Sequence, residues 1–226
     1  MNESKSMFGL FAPHARAAGV LACIALAAAV AGCAPQKVSS SPYATQPEVE
    51  RNATRAEQLT RRAVEAMDAS TADNARENGA KAETLLREAE ALLREALAAD
   101  LYHGPAHNNL GVVFLRQGKL YEAANEFEWA RKLMPGNPDP RFNLALTLER
   151  AVRVDEALAM YATALEVQAE HLPSMQGLAR LQIRQRKTDA RTDGLLREIA
   201  FRGSSAEWRS WAQGELARRG DGSAAR

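Results

Sequence analysis

Residues 104–137 read GPAHNNLGVVFLRQGKLYEAANEFEWARKLMPGN, and residues 138–171 read PDPRFNLALTLERAVRVDEALAMYATALEVQAEH. Laid one over the other, a step of 34 residues sets Leu110 on Leu144, Gly111 on Ala145, Ala123 on Ala157, Phe127 on Tyr161 and Ala130 on Ala164. One step further, Leu178 and Ala179 continue the first two columns. One step back, Ala123, Phe127 and Ala130 fall on Ala89, Leu93 and Ala96. Apolar residues recur at three- and four-residue spacing and no alternating strand-type run appears, so the body is all-α. A fixed period of this length marks stacked units, none of which buries its apolar face alone. Gly111 and Ala145 lie on a first helix and Ala123 and Ala157 on a second, where small side chains let helices approach. Phe127 and Tyr161 fill the groove against the neighbouring unit, Gly118 supplies the turn, and Pro135 ends the second helix.

The set Leu110-Gly111, Phe114, Ala123, Phe127, Ala130 and Pro135 resembles the tetratricopeptide consensus. The second copy departs from it twice, with Val152 where Gly118 stood and Ala169 where Pro135 stood. Degenerate units flank the pair. One comprises a first helix over 49–67, a polar insertion over 69–79 and a second helix over 81–100. The other begins at Pro173 and departs from the pattern at Arg191 and Glu198. A closing helix follows from Ser205, with Ser204-x-x-Glu207 as a capping box and Trp208 and Trp211 on one face as the core of the cap. The resemblance thus implies a short tetratricopeptide-type α-α solenoid over residues 49–220, with its best repeats at 104–137 and 138–171, a C-terminal capping helix and a disordered tail over 221–226.

The amino end reads differently. Residues 17–36 carry no charge, and 17–30 are almost wholly Ala, Val, Leu and Ile behind Lys5, His14 and Arg16, the pattern of an export signal. Val30-Ala31-Gly32-Cys33 follows and resembles the lipobox of bacterial lipoproteins, which implies a signal peptide over 1–32 and lipidation of Cys33. Ala29-Val30-Ala31 also fits an ordinary signal-peptidase site, and an uncleaved membrane anchor is the third alternative. Only the lipid anchor gives Cys33 a role. Ala34 after the cysteine, by resemblance to the enterobacterial sorting pattern, favours the outer membrane. Residues 33–48, with Pro35, Pro42 and Pro47 and several serines, read as a tether.

Of 226 residues, 46% are apolar and 25% charged, which excludes wholesale disorder and collagen-like or disulfide-rich folds. Lys5, Arg16 and Glu3 leave residues 33–226 with no net charge from an overall +1, which argues against a dedicated nucleic-acid binder. Cys23 falls in the signal and Cys33 is the lipidation site, so no thiol remains for catalysis, a disulfide or a metal. Glycine-rich phosphate loops, HExxH and G-x-S-x-G are missing from the sequence, and no enzyme, cofactor, metal or small-molecule substrate is expected. His103 and His171 fall in inter-unit turns, and His107 stands where the family often places an aromatic. Glu122 and Glu126 read as a solvated helix face.

What remains is a surface. In tetratricopeptide proteins the first helices line a concave groove that holds an extended peptide or helix. The resemblance places there Asn108, Asn109, Val112 and Arg116, then Phe142, Asn143, Leu146 and Arg150, then Arg180, Ile183 and Arg184. Asn109 and Asn143 form one column, suited to a peptide backbone because an amide both donates and accepts. Arg116, Arg150 and Arg184 form another, suited to carboxylates. Both columns are frequent in the repeat consensus itself, and the arginines have Glu149 and Asp155 as partners within the chain. Trp129 either covers the amino-terminal helix or marks a second, convex contact site. The expectation is a non-catalytic, membrane-anchored protein-interaction scaffold at the periplasmic face of the outer membrane. Its architecture is similar to Flp/Tad pilus-assembly and type IV pilotin lipoproteins. The alternative is an adaptor that positions a cell-wall or polysaccharide-handling enzyme.

Overall fold

The computed structural model describes residues 51–72 and 78–224. The expected signal peptide, Cys33 and the tether lie outside these residues. Every regular element described is helical, and the helices run α1 (Ala53–Ala69), α2 (Gly79–Ala99), α3 (Gly104–Arg116), α4 (Leu120–Leu133), α5 (Asp139–Arg150), α6 (Val154–Val167), α7 (Leu172–Arg184), α8 (Thr192–Arg202) and α9 (Ala206–Ala224). Each packs on the next, and the odd-numbered helices α1, α3, α5 and α7 also touch in succession. They form four helix pairs and a closing helix, a tetratricopeptide-type α-α solenoid.

Helix starts follow local chemistry. Asn52 accepts from the Arg55 N–H at 2.9 Å, so α1 begins at Ala53 and not near residue 49. Asn78 accepts likewise from the Lys81 N–H and starts α2. The Asn52 N–H donates to the Ala99 carbonyl at 3.0 Å, tying the start of α1 to the end of α2. The 69–79 insertion separates these helices as expected.

The small-residue columns are where the helices meet. Ala123, Ala145, Ala157, Phe127 and Tyr161 are all fully buried. A Cβ on Gly111 would stand 2.6 Å from the Phe127 ring, and one on Gly177 would stand 2.5 Å from the Tyr161 ring. Tyr161 therefore reaches into the next unit, as expected, whereas Phe127 packs against Gly111 of its own unit.

Three turns between first and second helices repeat at the 34-residue period in backbone as well as sequence. Gly118, Val152 and Arg186 have φ of 77°, 61° and 55°, the left-handed region. After each, the next N–H reaches back five residues at 2.9 Å, from Lys119 to Phe114, Arg153 to Leu148 and Lys187 to Gln182. This closes the helix end with a left-handed residue that only glycine adopts without strain. Val152 is 79% exposed, so no packing offsets the strain of its branched Cβ.

The last pair corrects the expectation that the pattern is lost at Arg191 and Glu198. Thr192, Leu196 and Ile199 are fully buried there, each one residue beyond the position that the period assigns. The turn has lengthened and α8 has slid by one residue, so burial continues in a shifted register. A polar network of buried Gln182 and Thr192 with exposed Asp189 holds the new turn. Thr192 Oγ1 accepts from the Asp189 N–H at 2.9 Å and donates to Gln182 Oε1 at 3.0 Å, and Asp189 accepts from the Thr192 N–H at 3.1 Å. Gln182 Nε2 donates to Asp189 at 2.9 Å.

Two further corrections concern α9. Its cap is Ser205, whose hydroxyl accepts from the Trp208 N–H at 3.4 Å, while Ser204 is drawn off to Gln176 at 3.1 Å. The three-residue reach from cap to N–H fits Ser205 because the helix starts at Ala206. The helix also continues to Ala224, past the expected end at residue 220. No proline follows Gly220 to stop it, and one glycine in a helix costs only about 1 kcal/mol.

Candidate peptide groove on the first helices

The first helices α3, α5 and α7 present the expected columns, and the structure shows which side chains are already engaged. The arginine column is a ladder within the chain. Arg116 Nη1 donates to the Met67 carbonyl at 3.0 Å and to Ser70 Oγ at 3.3 Å, both at the end of α1. Arg150 Nη1 donates to the Leu115 carbonyl at 3.1 Å, at the end of α3. Arg184 Nη2 reaches Glu149 at 2.9 Å, at the end of α5. Each arginine closes one first helix and reaches back to the carboxyl end of the one before it, Arg116 and Arg150 to a backbone carbonyl and Arg184 to a carboxylate, where the helix dipole favours a cation. The 34-residue spacing of these arginines is thus the spacing of an internal staple.

Glu149 gathers three partners. Arg180 Nη2 donates to both of its carboxylate oxygens at 3.1 and 3.0 Å, Arg184 joins them, and the Tyr161 hydroxyl donates to Oε2 at 3.1 Å. Burial first, then the neighbouring carboxylate, pushes the Tyr161 hydroxyl well above the ordinary phenol range. It stays protonated and a donor at any physiological pH.

The asparagines divide. Asn143 Nδ2 donates to Asn108 Oδ1 at 3.0 Å, bridging α5 to α3 across 35 residues and not along the expected column. Asn109, half-buried, makes no side-chain hydrogen bond among the described residues. Val112, three residues on along α3, and Phe142 and Leu146 on α5 are likewise half-buried and pack on the edge of the main core. At the position of Asn109 and Asn143 the last pair has Gly177, because the Tyr161 ring occupies that space. Half-covered apolar groups and one uncommitted amide on successive first helices suit a main chain laid across them.

The histidines are structural. His107 is buried, with Nδ1 2.6 Å from Glu126 and Nε2 2.9 Å from the Leu101 carbonyl. Glu126 is therefore half-buried and bonded, which corrects its assignment to a solvated face. Trp129 stacks on the His107 ring, with centroids 5.8 Å apart and 18° between planes, and the Lys132 ammonium lies 5.5 Å from the centre of the Trp129 ring. Trp129 thus covers a histidine of its own pair, a role that neither expectation for it contained. The signal for this is the three-residue step from Glu126 to Trp129, which sets both side chains on one face of α4, toward His107 of α3. His171 bonds Ser174 at 2.7 Å and Asp139 at 3.1 Å in the inter-unit turn, and His103 faces Glu57 at 3.5 Å.

Among the described residues, no group of three or more His, Cys, Asp or Glu side chains is arranged to hold a metal. No described helix is long and apolar enough to cross a membrane.

Comparisons with known proteins agree with this geometry. The tetratricopeptide repeat family profile matches residues 114–181. No curated protein matches the chain. Among solved structures, a tetratricopeptide repeat protein from Parabacteroides merdae is similar at 21% identity and a TM-score of 0.56, covering 74% of this chain and 61% of that one. The first tetratricopeptide domain of Spaghetti (RPAP3), solved with the HSP90 peptide SRMEEVD, is similar at 14% identity and 0.52, covering 61% and 98%. The Sgt2 tetratricopeptide domain from Aspergillus fumigatus is similar at 16% and 0.52, covering 63% and 86%. Identities this low speak for the fold alone. The described residues are a tetratricopeptide-type helical solenoid, and residues 114–181 carry the repeat signature of that family.

Proposed function

We propose that the protein is a non-catalytic scaffold whose first-helix face holds a protein partner. The observation that carries this reading is the set Asn109, Val112, Phe142 and Leu146 on successive first helices, each half-covered, with the Asn109 amide unbonded among the described residues. The neighbouring arginines brace the solenoid, so affinity rests on apolar contact and backbone hydrogen bonding. A similar fold solved with a bound HSP90 peptide supports a peptide as the kind of partner.

The wider reading joins this face to the amino end. The chain is a lipoprotein anchored through Cys33 at the periplasmic face of the outer membrane, serving assembly of a pilus or secretion machine. Its support is the order of export signal, lipobox, tether and repeats in the sequence.

A photocrosslinking residue placed at Val112 or Leu146 in the native cell tests the groove. Specific partner crosslinks are expected at both, with Tyr121 on the second helix as the comparison site. Equal capture at all three positions overturns the groove. Secretin or pilus components among the products support the assembly role, whereas wall hydrolases support the adaptor alternative. Cys33→Ala is expected to move the protein from the membrane to the soluble fraction, and retention in the membrane overturns the lipid anchor.

A further inference from the structure

The floor of the first-helix face changes character at its carboxyl end. Val112 and Leu146 occupy one position of the repeat, and the next step brings Arg180. Beside Arg180, residues Ser205, Glu207, Trp208 and Trp211 from the start of α9 complete a slot of about 260 Å³. That is below the roughly 300–1,000 Å³ of pockets that bury a drug-sized ligand, so it suits one side chain. The indoles meet edge to face with centroids 5.3 Å apart, and both are only partly buried. The expectation that they are simply the core of the cap therefore accounts for one side of each ring. Arg180 bonds Glu149 through Nη2 alone, its side chain is 40% exposed, and Nη1 has no partner among the described residues.

Charge is distributed unevenly along the chain. Residues 180–226 hold eleven Lys and Arg against six Asp and Glu, whereas residues 48–179 hold fifteen against twenty-one. The overall neutrality conceals a basic end of +5 and an acidic body of −6. An acidic segment is drawn to the end that carries the slot and repelled by the rest.

We propose that the slot formed by Arg180, Trp208 and Trp211 docks an acidic partner segment, which inserts one bulky apolar side chain against the indoles and sets a neighbouring carboxylate on Arg180 Nη1. Glu207, which also lines the slot, disfavours a second acid there and so orients the segment. The proposal deepens the groove reading above and rests on it, the slot being the carboxyl-terminal end of the same face. Aromatic anchors beside an arginine that a partner would cover are the arrangement in which few residues carry most of an interface's affinity.

The chain has three tryptophans, so Trp129→Phe leaves the two slot indoles as the only tryptophan reporters, excited selectively at wavelengths where tyrosine does not absorb. The full chain carrying that change is titrated at low salt with acetyl-Glu-Asp-Phe-Glu-amide. Its controls are acetyl-Glu-Asp-Ala-Glu-amide and acetyl-Lys-Lys-Phe-Lys-amide. The acidic Phe peptide is expected to shift the emission and to bind about ten-fold more tightly than either control, with affinity falling as salt rises. Arg180→Gln and, separately, Trp211→Leu are each expected to weaken it about ten-fold while far-ultraviolet dichroism stays unchanged. Equal binding of the Ala peptide, or a Phe peptide indifferent to both changes, overturns the proposal. So does an indole response to phosphatidylglycerol vesicles without one to the peptides, which would make the slot a membrane contact. If Val112 crosslinks a partner while the indoles stay silent, the slot falls and the scaffold stands. If the indoles respond but Val112 and Leu146 crosslink nothing, the groove falls.

Discussion

The helix pairs α3–α4 and α7–α8 hold the same place in the repeat and are held there by different chemistry. In the first, the Phe127 ring lies on Gly111, and Gly118 turns the chain at no conformational cost. In the second, α7 is joined to the preceding pair through the Glu149 cluster and a Lys187–Asp155 ion pair, and Arg202 reaches back to Glu170. Its turn is built on Asp189, Thr192 and Gln182. The consensus is thus one solution to stacking helix pairs. A one-residue slide with polar bracing is another.

Several substitutions break or sharpen this contrast. Gly177→Val drives a branched side chain into the buried Tyr161 ring and is expected to cost about 3 kcal/mol, read as a lowered denaturant midpoint. Because that contact joins the α5–α6 pair to α7, hydrogen exchange should rise most in residues 172–224, and uniform loss of protection would contradict the assignment. Glu149→Ala removes the shared acceptor of Tyr161, Arg180 and Arg184, and solvent exposure of both arginines limits the loss to about 2 kcal/mol. Arg150→Ala, which removes a single staple bond to Leu115, should cost about half of that.

The turns form an internal series. Val152→Gly relieves a left-handed branched residue and should stabilise by about 1 kcal/mol, while Gly118→Val should destabilise by a similar amount. A loss of stability in Val152→Gly would refute the strain. The smallest effect concerns pH. Burial alone would raise the Asp189 carboxyl, but hydrogen bonds from the Arg191 N–H, Gln182 and Thr192 outweigh it and hold the group below the ordinary aspartate range. A depressed folded value means that its contribution is complete above about pH 4 and fades as the pH falls through the folded value. Between pH 5 and pH 2, wild type should therefore lose roughly a few tenths of a kcal/mol more stability than Asp189→Asn, solvent screening keeping the difference small.

Much of this fold was legible because its determinants are local and repeated. The Ala123–Ala157 and Phe127–Tyr161 columns locate the helix pairs, and the Gly118 position locates the turns. The site was legible only as candidates. Spacing placed Arg116, Arg150 and Arg184 on one face. Glu149 was visible as a partner, and Arg184 takes it, but spacing could not say that Arg116 and Arg150 close the ends of α1 and α3, because a backbone carbonyl leaves no mark in the residue column that it serves. Asn143 illustrates the same limit, since its partner Asn108 lies 35 residues away and off the period.

Repetition of small, aromatic and turn-forming residues at a 34-residue step determined the class of fold, since each choice acts within one helix pair and its neighbour. The tertiary structure alone decided which polar side chains are spent on the chain itself and which remain for a partner. That depends on contacts between successive first helices, more than 30 residues apart, as with Arg150 and Leu115. It also decided that Arg180 and the two indoles of α9 meet in one slot, because the register slide in α8 sets where the closing helix packs.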